Sequence, residues 1–389
     1  MPKKEDTIKK YIDYWDEVIR QWLQYNADYK SFTGDAAEQR QIIEAINSKV
    51  GKDSDYRLNI QHMPEPYWGN PRECSIVLLD YNPAGGAEIS RHTSINCKDC
   101  AKCGKSFINI INSEYLYNNG YSNFALNGPI FQSEEEIKHN NLGWFSDKDN
   151  GYGGYHWWQE KKKWIDHLVA AICGNIEGVY SHPFCMELCG WHSKKWSNNM
   201  SWIEKGECHE IVNRRLIQPL FASMKNSLWN HSPKIAACIG AQLNPIFFKK
   251  IFNNIERTIF INITPDLGFK KDKDYIYKQW MEEKEGKEIT FKCIVLSQGS
   301  INRIPKISKE TKESIAVKVV TIKKDKNNTQ KEESATRYYR IYNIVNDKGN
   351  HIILNTFAPG GNHHPAEHFW PFEKELINVI KEYYKKIKQ

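Results

Sequence analysis

Cys74-Ser-Ile-Val-Leu-Leu-Asp80 is a short apolar run with no polar alternation. A strand with one wet face alternates, so an unbroken run marks a strand covered on both faces, as in a parallel sheet flanked by helices. The run stops in Tyr81-Asn82-Pro83-Ala84-Gly85-Gly86, a loop by composition. Comparable runs at 179–188 and 234–240 read as a second and a third strand, and 259–263 and 289–296 as two more. Helical spacing separates them: Ile12, Trp15, Ile19, Trp22 and Leu23 within 8–48, then 160–173, 210–228, and a closing helix over 366–387. Residues 338–357 read as a hairpin around Asn346-Asp347-Lys348-Gly349. Strands alternating with helices predict an α/β fold, a three-layer sandwich with a mostly parallel central sheet. The expected division is an N-terminal helical extension over 1–62 and one α/β domain over 63–389.

Composition adds location rather than class. The chain has 389 residues and a net charge of +7. Within 301–350 stand twelve Lys or Arg against six Asp or Glu, so most of the excess lies in one basic insertion, at about 301–345. The segment 304–337 is polar and rich in Lys, Thr and Ser, which predicts a mobile insertion. Such a patch can track phosphates, and it can equally be a solvated lysine-rich loop. No apolar run nears the ~20 residues that span a bilayer. The charged N-terminus has no apolar stretch of the signal-peptide kind, so a soluble cytoplasmic protein without a membrane partner is expected. There are 13 Trp. Most suit packing, but the glycine-flanked Gly151-Tyr152-Gly153-Gly154-Tyr155 predicts a loop with rings open to ligand, since flat rings stack on unpaired bases.

Ligands of open α/β sheets bind outside the carboxyl ends of the strands. That directs attention to the loop at Asn82, the loop at Gly190-Trp191-His192-Ser193, and the loop Ala358-Pro359-Gly360-Gly361-Asn362-His363-His364-Pro365.

Leu78-Leu79-Asp80-Tyr81-Asn82-Pro83 resembles the Asn-Pro motif of mismatch-specific uracil glycosylases, within the uracil-DNA glycosylase superfamily. Ala236-Ala237-Cys238-Ile239-Gly240 resembles that superfamily's glycine-ended third strand. Ile352-Ile353-Leu354-Asn355-Thr356-Phe357 leads, as there, toward a His-Pro-Ser type loop and a last helix. The likeness covers roughly 64–100, 175–255 and 350–385. It departs from the pattern at Asp80, where glycine is usual, and at Ala366, where serine is. Two registers are open for the last motif: His364-Pro365-Ala366, or Ala358-Pro359-Gly360 directly after the strand.

The resemblance implies a DNA glycosylase that flips a base and hydrolyses its N-glycosidic bond. In that reading Asn82 orients the water through its amide and Pro83 stiffens the position. His364 or His363 donates to the departing base as charge develops. Asp80, Tyr81, Pro83, Ala84, Glu187, His192 and Asn362 line the base site. Glu187 could accept from a cytosine-type amino group, although a salt bridge to a core Arg would equally explain a carboxylate in an apolar run. The extra helices, aromatics and basic insertion suit a bulky modified base. Anti-phage glycosylases acting on glucosylated hydroxymethylcytosine in phage DNA are the natural comparison.

Cys97, Cys100 and Cys103 have two-residue spacings that let thiolates converge on one metal. A structural zinc suits them better than an iron–sulfur cluster, with His92, Cys208 and His209 all available as a fourth ligand. No catalytic cofactor is expected. Two other functions fit the sequence. One is a non-catalytic nucleic-acid-binding protein on the same fold. The other is a metal-dependent nucleotide or phosphodiester hydrolase built on His363, His364, Glu367 and His368.

Overall fold

The computed structural model describes residues 6–74, 76–80, 113–140, 155, 158–159, 165–166, 170, 183–195, 207–225, 235–239, 256–258, 270–271, 275–284, 287–296, 315–324, 330–346, 349–357, 373–374, 376–378, 380–382 and 385.

Helix α1 spans Thr7–Gln24. Asp6 starts it by accepting hydrogen bonds from the backbone N–H of Ile8 and Lys9, which would otherwise be orphaned at a helix N-terminus. Its buried stripe runs through Ile8, Tyr11, Trp15, Val18, Ile19 and Trp22. Beyond Tyr25 the chain leaves helical geometry because Asn26 and Ala27 adopt positive φ, and Ala27 N–H closes back on the Trp22 carbonyl. Helix α2, Ala37–Asn47, buries Ile42, Ile43 and Ile46. The helix expected over 8–48 is thus two helices hinged at a left-handed pair.

The sheet carries strands β1 (Tyr67–Trp68), β2 (Ile76–Asp80), β3 (Phe184–Glu187), β4 (Ile235–Ile239), β5 (Glu256–Thr258), β6 (Lys270–Lys271), β7 (Tyr275–Lys284), β8 (Lys287–Leu296), β9 (Ile315–Lys324), β10 (Gln330–Asn346) and β11 (Gly349–Phe357). Their order is β1-β3-β2-β4-β11-β10-β9-β8-β7-β6, with β5 paired to β10. The pairs β2·β3, β2·β4 and β4·β11 are parallel. Every other pairing among the described strands is antiparallel. The sheet is therefore mixed, and parallel order is confined to β3, β2, β4 and β11.

The basic segment read from sequence as a mobile insertion holds β9 and the first part of β10. The correction has a local cause. Between its lysines the segment carries Val317, Val319, Val320, Thr321 and Ile322, and β-branched residues favour a pleated strand. The hairpin around 346–349 pairs Asn346 with Gly349, and β10 runs 17 residues back from it.

Helices reach the sheet from opposite sides of β11 and β10. Phe221, in helix Gln218–Lys225, lies against the His351 ring at 4.5 Å between centroids. Glu373, in the helical residues near the C-terminus, accepts a 2.6 Å hydrogen bond from Tyr339 Oη. Tyr339 pairs with Thr356, whereas His351 pairs with Ile344, and these registers put Tyr339 and His351 on opposite faces.

Helix Gln218–Lys225 continues Glu207–Val212 through a π-helical turn, Asn213–Ile217. Pro219 offers no N–H to the carbonyl one turn earlier, and the widened turn lies just before it. That turn carries Arg214 and Arg215, which both bond Glu38 of α2. The Arg215 guanidinium also stands 4.1 Å from the Tyr14 ring centroid.

One apolar cluster runs across the described residues, from Tyr11, Trp15 and Trp22 to β2, β3 and Ile380. The N-terminal helices share this core: Tyr11 Oη donates to the Pro66 carbonyl and Trp22 Nε1 to that of Ile60.

Candidate functional site

The site is built from the centre of the sheet outward. Ile76, Val77, Leu78 and Leu79 of β2 are all buried, because β3 and β4 flank the strand edges and both faces are covered. Asp80 ends the strand half-buried. Parallel register sets it directly beside Glu187, the last residue of β3. Two acids thus stand side by side where two parallel strands end.

A third acid joins from the edge. β1 pairs antiparallel with β3, and the ladder continues past it: Glu187 N–H donates to the Pro66 carbonyl and Glu65 N–H to that of Gly190. The approach is close. A Cβ on Gly69, where φ is +91°, would lie 2.3 Å from the Pro183 carbonyl oxygen, so this position requires glycine. A Cβ on Gly190 would lie 2.9 Å from the Trp15 ring.

Glu65 and His192 are both buried, and His192 Nε2 lies 3.3 Å from Glu65 Oε1 and 3.1 Å from the Met63 carbonyl oxygen. The His62 ring packs on His192 at 5.5 Å. Asn59 N–H donates to the His192 carbonyl and ties the loop after β3 to the 59–66 segment.

Burial pushes the Glu187 carboxyl well above the usual range, and the nearby charges of Asp80 and Glu65 push it further. Both effects favour the protonated form of Glu187. Its Oε1 receives a long 3.9 Å contact from the Cys185 thiol, and its Oε2 is buried with no hydrogen-bond partner. Among the described residues no Arg forms an ion pair with Glu187. A neutral carboxylic acid both donates and accepts, unlike the purely accepting carboxylate of the sequence reading.

Of the residues singled out from sequence, the structure sets Asp80 beside Glu187 and places His192 against Glu65. Tyr81, Asn82, Pro83, Ala84, Asn362, His363 and His364 lie outside the described residues, as do Cys97, Cys100, Cys103 and His92. Cys208 is buried, with its thiol 3.7 Å from the Gln41 carbonyl oxygen. Among the described residues no group of three His, Cys, Asp or Glu is placed to hold a metal ion.

Glu65 and His62 were missed in the sequence. The available signal was an acid set between two prolines in Met63-Pro64-Glu65-Pro66-Tyr67-Trp68, an otherwise apolar stretch.

One aromatic expectation changes. Tyr155, expected in an open loop, is helical and buried, with its hydroxyl 3.2 Å from the Gln132 carbonyl. Trp191 is fully buried, donating from Nε1 to Gln39 Oε1 at 2.9 Å, and Gln39 in turn donates to Tyr14 Oη. Both rings belong to the core rather than to a stacking surface.

Among the described residues no helix is long and apolar enough to cross a membrane. No protein-family model matches the chain, and neither a curated protein nor a solved structure does.

Proposed function

We propose that this chain is a cytoplasmic DNA glycosylase on a three-layer α/β scaffold, acting on a flipped base. The observation that carries the proposal is the pairing of Asp80 with Glu187 at the carboxyl ends of adjacent parallel strands, with Asn82-Pro83 immediately downstream of β2. Open sheets bind ligands at such ends. A protonated Glu187 supplies a hydrogen-bond donor for an acceptor atom on the base, and its carbonyl oxygen supplies an acceptor for an amino group. Asn82 holds the attacking water, and a histidine of the His363-His364 pair stabilises the departing base. Base flipping costs on the order of a few kcal/mol, which phosphate contacts and stacking must offset. The basic segment 301–350 suits the phosphates, and a bulky modified base such as glucosylated hydroxymethylcytosine suits the length of the chain. Cys97, Cys100 and Cys103 hold a structural zinc in this reading.

The test is base release. Purified protein is incubated with plain, uracil-containing, mismatched and glucosylated-hydroxymethylcytosine DNA, then treated with alkali to break abasic sites. Breaks on one substrate are expected, and Asn82→Ala should lose them while binding DNA nearly as well. Binding without breaks on any substrate would mean a non-catalytic DNA-binding protein. Breaks that need no alkali and vanish with a chelator would mean a metal-dependent phosphodiesterase.

A further inference from the structure

Beyond β11 the sheet runs on as an antiparallel platform, β10-β9-β8-β7-β6, in which β7, β8 and β9 make their extensive contacts with neighbouring strands. Register partners in such a sheet lie on one face, and so do residues two apart along a strand. Trp280 pairs with Phe291, Phe291 with Thr321 and Thr321 with Glu333, so two aromatic residues stand side by side in one row. The next row on one side holds Lys278, and the next on the other holds Lys323 beside Lys331. Over β7–β10 this face carries Lys278, Lys284, Lys287, Lys323, Lys331 and Arg337 against two acids, Glu282 and Glu333. The opposite face carries Lys292, Lys318, Lys324 and Arg340 against Glu283, Glu288 and Glu332, and so is close to neutral. The β7–β8 hairpin sorts its charge by face: Lys284 pairs with Lys287 on the basic face and Glu283 with Glu288 on the other. The helical residues near the C-terminus meet the basic face at Tyr339, through Glu373. Glu333 lies six residues back along β10, roughly 20 Å away at about 3.4 Å per residue, so the aromatic row stands clear of that contact.

We propose that the basic face of β7–β10 is a docking surface for single-stranded DNA, with bases stacked on Trp280 and Phe291 and phosphates met by the cations around them. Like charges set directly opposite one another destabilise a bare sheet, and Lys323–Lys331 and Lys284–Lys287 are two such pairs on one face. A bound polyanion offsets that repulsion. A cross-strand aromatic pair stabilises a sheet in its own right. Set among cations, it also offers the flat surface on which an unpaired base stacks. Bases in a duplex already stack on one another, so an aromatic row favours a single strand. That the strand is DNA rests on the glycosylase reading; that it is single does not.

The test is binding by the full chain, read by fluorescence anisotropy with labelled oligothymidylate, RNA of the matching sequence, a blunt DNA duplex and anionic phospholipid vesicles. The single DNA strand should bind more tightly than the duplex. Trp280→Leu should weaken it about tenfold, the loss of one stacked base, while Trp280→Tyr, which keeps a ring, should bind nearly as wild type. Lys278→Gln, Lys323→Gln and Lys331→Gln together should lower the slope of log affinity against log salt by about two, at ~0.7 per phosphate. Lys292→Gln, Lys318→Gln and Lys324→Gln together, on the opposite face, should leave affinity within about twofold of wild type. Circular dichroism melts confirm that each variant is folded. No binding of the single strand, tighter binding of the duplex or of the RNA, binding to vesicles alone, or equal losses from the two lysine triplets would each overturn the proposal. Base release by the wild type, with affinity unmoved in Trp280→Leu and in the first triplet, would overturn this proposal and spare the glycosylase reading. Binding that moves as described, without base release on any substrate, would overturn the glycosylase reading and leave the docking face standing.

Discussion

At the residue scale, Glu187 links stability to pH. Its folded proton affinity is raised above the ordinary value of 4.5. The folded chain therefore holds a proton that the unfolded chain has released, and stability falls as pH rises. This contribution is fully present below about pH 4.5 and is lost as pH climbs through the raised folded value. Glu187→Gln removes the titration. Its stability relative to wild type should rise between about pH 5 and pH 8, with a slope of up to ~1.4 kcal/mol per pH unit. Thermal melts across that range check it, and a difference that stays flat with pH would contradict a raised Glu187. Gly69→Ala probes the close approach of β1 to β3, where a Cβ meets backbone rather than a side chain that can turn away. It should cost about 3 kcal/mol or more in a urea unfolding curve. Neither the raised proton affinity of Glu187 nor the position of Glu65 was legible in the sequence. A carboxylate in an apolar run announces a cost but not what meets it, and here two other acids do.

Elements were legible where one local pattern dominates. The Ile8–Trp22 stripe and the Asp6 cap specify α1 without help, and the unbroken apolar run specifies β2. β9 was misread because its lysines outweighed its β-branched residues in a judgement by composition, whereas pairing with β8 and β10 decides its state. The π-helical turn was also invisible beforehand, and it positions the Arg214–Arg215 pair on Glu38. The two arginines should differ. Arg215 is mostly buried and lies over Tyr14, so Arg215→Ala should cost about 2 kcal/mol. Arg214 is half exposed, so Arg214→Ala should cost about 0.5 kcal/mol or less. Equal losses in denaturant melts would show that the pair does not clamp α2 through Arg215.

For the whole molecule, the shared core decides what can be cut away. Tyr11, Trp15 and Trp22 pack in the same cluster as Tyr67, Met186 and Trp191. Gln39 bridges Tyr14 to Trp191, and so joins the N-terminal helices to the loop after β3. Deleting residues 1–62 should therefore bare large apolar rings beside the candidate site. The truncated chain is expected to aggregate or to lose its near-ultraviolet circular dichroism, as packing-deficient chains do. A soluble fragment with a sharp cooperative melt would contradict that, and would make the N-terminal helices an independent extension. The mixed sheet shows the same dependence on distant partners. β2, β3, β4 and β11 are separated by long stretches of chain, yet they form the parallel segment whose carboxyl ends hold the acids.

The sequence by itself determined the local pieces: an amphipathic first helix, a buried central strand with an acid at its end, and a hairpin at 346–349. These follow from periodicity, capping and turn chemistry, all of which act within a few residues. Tertiary structure alone decided that Glu65 meets His192, that Met63 meets the ring of a histidine 129 residues away, and that Glu187 stands beside Asp80 with its proton affinity raised. The reason is that burial and the charges of neighbours set a protonation state, and both exist only once separate segments have been packed together.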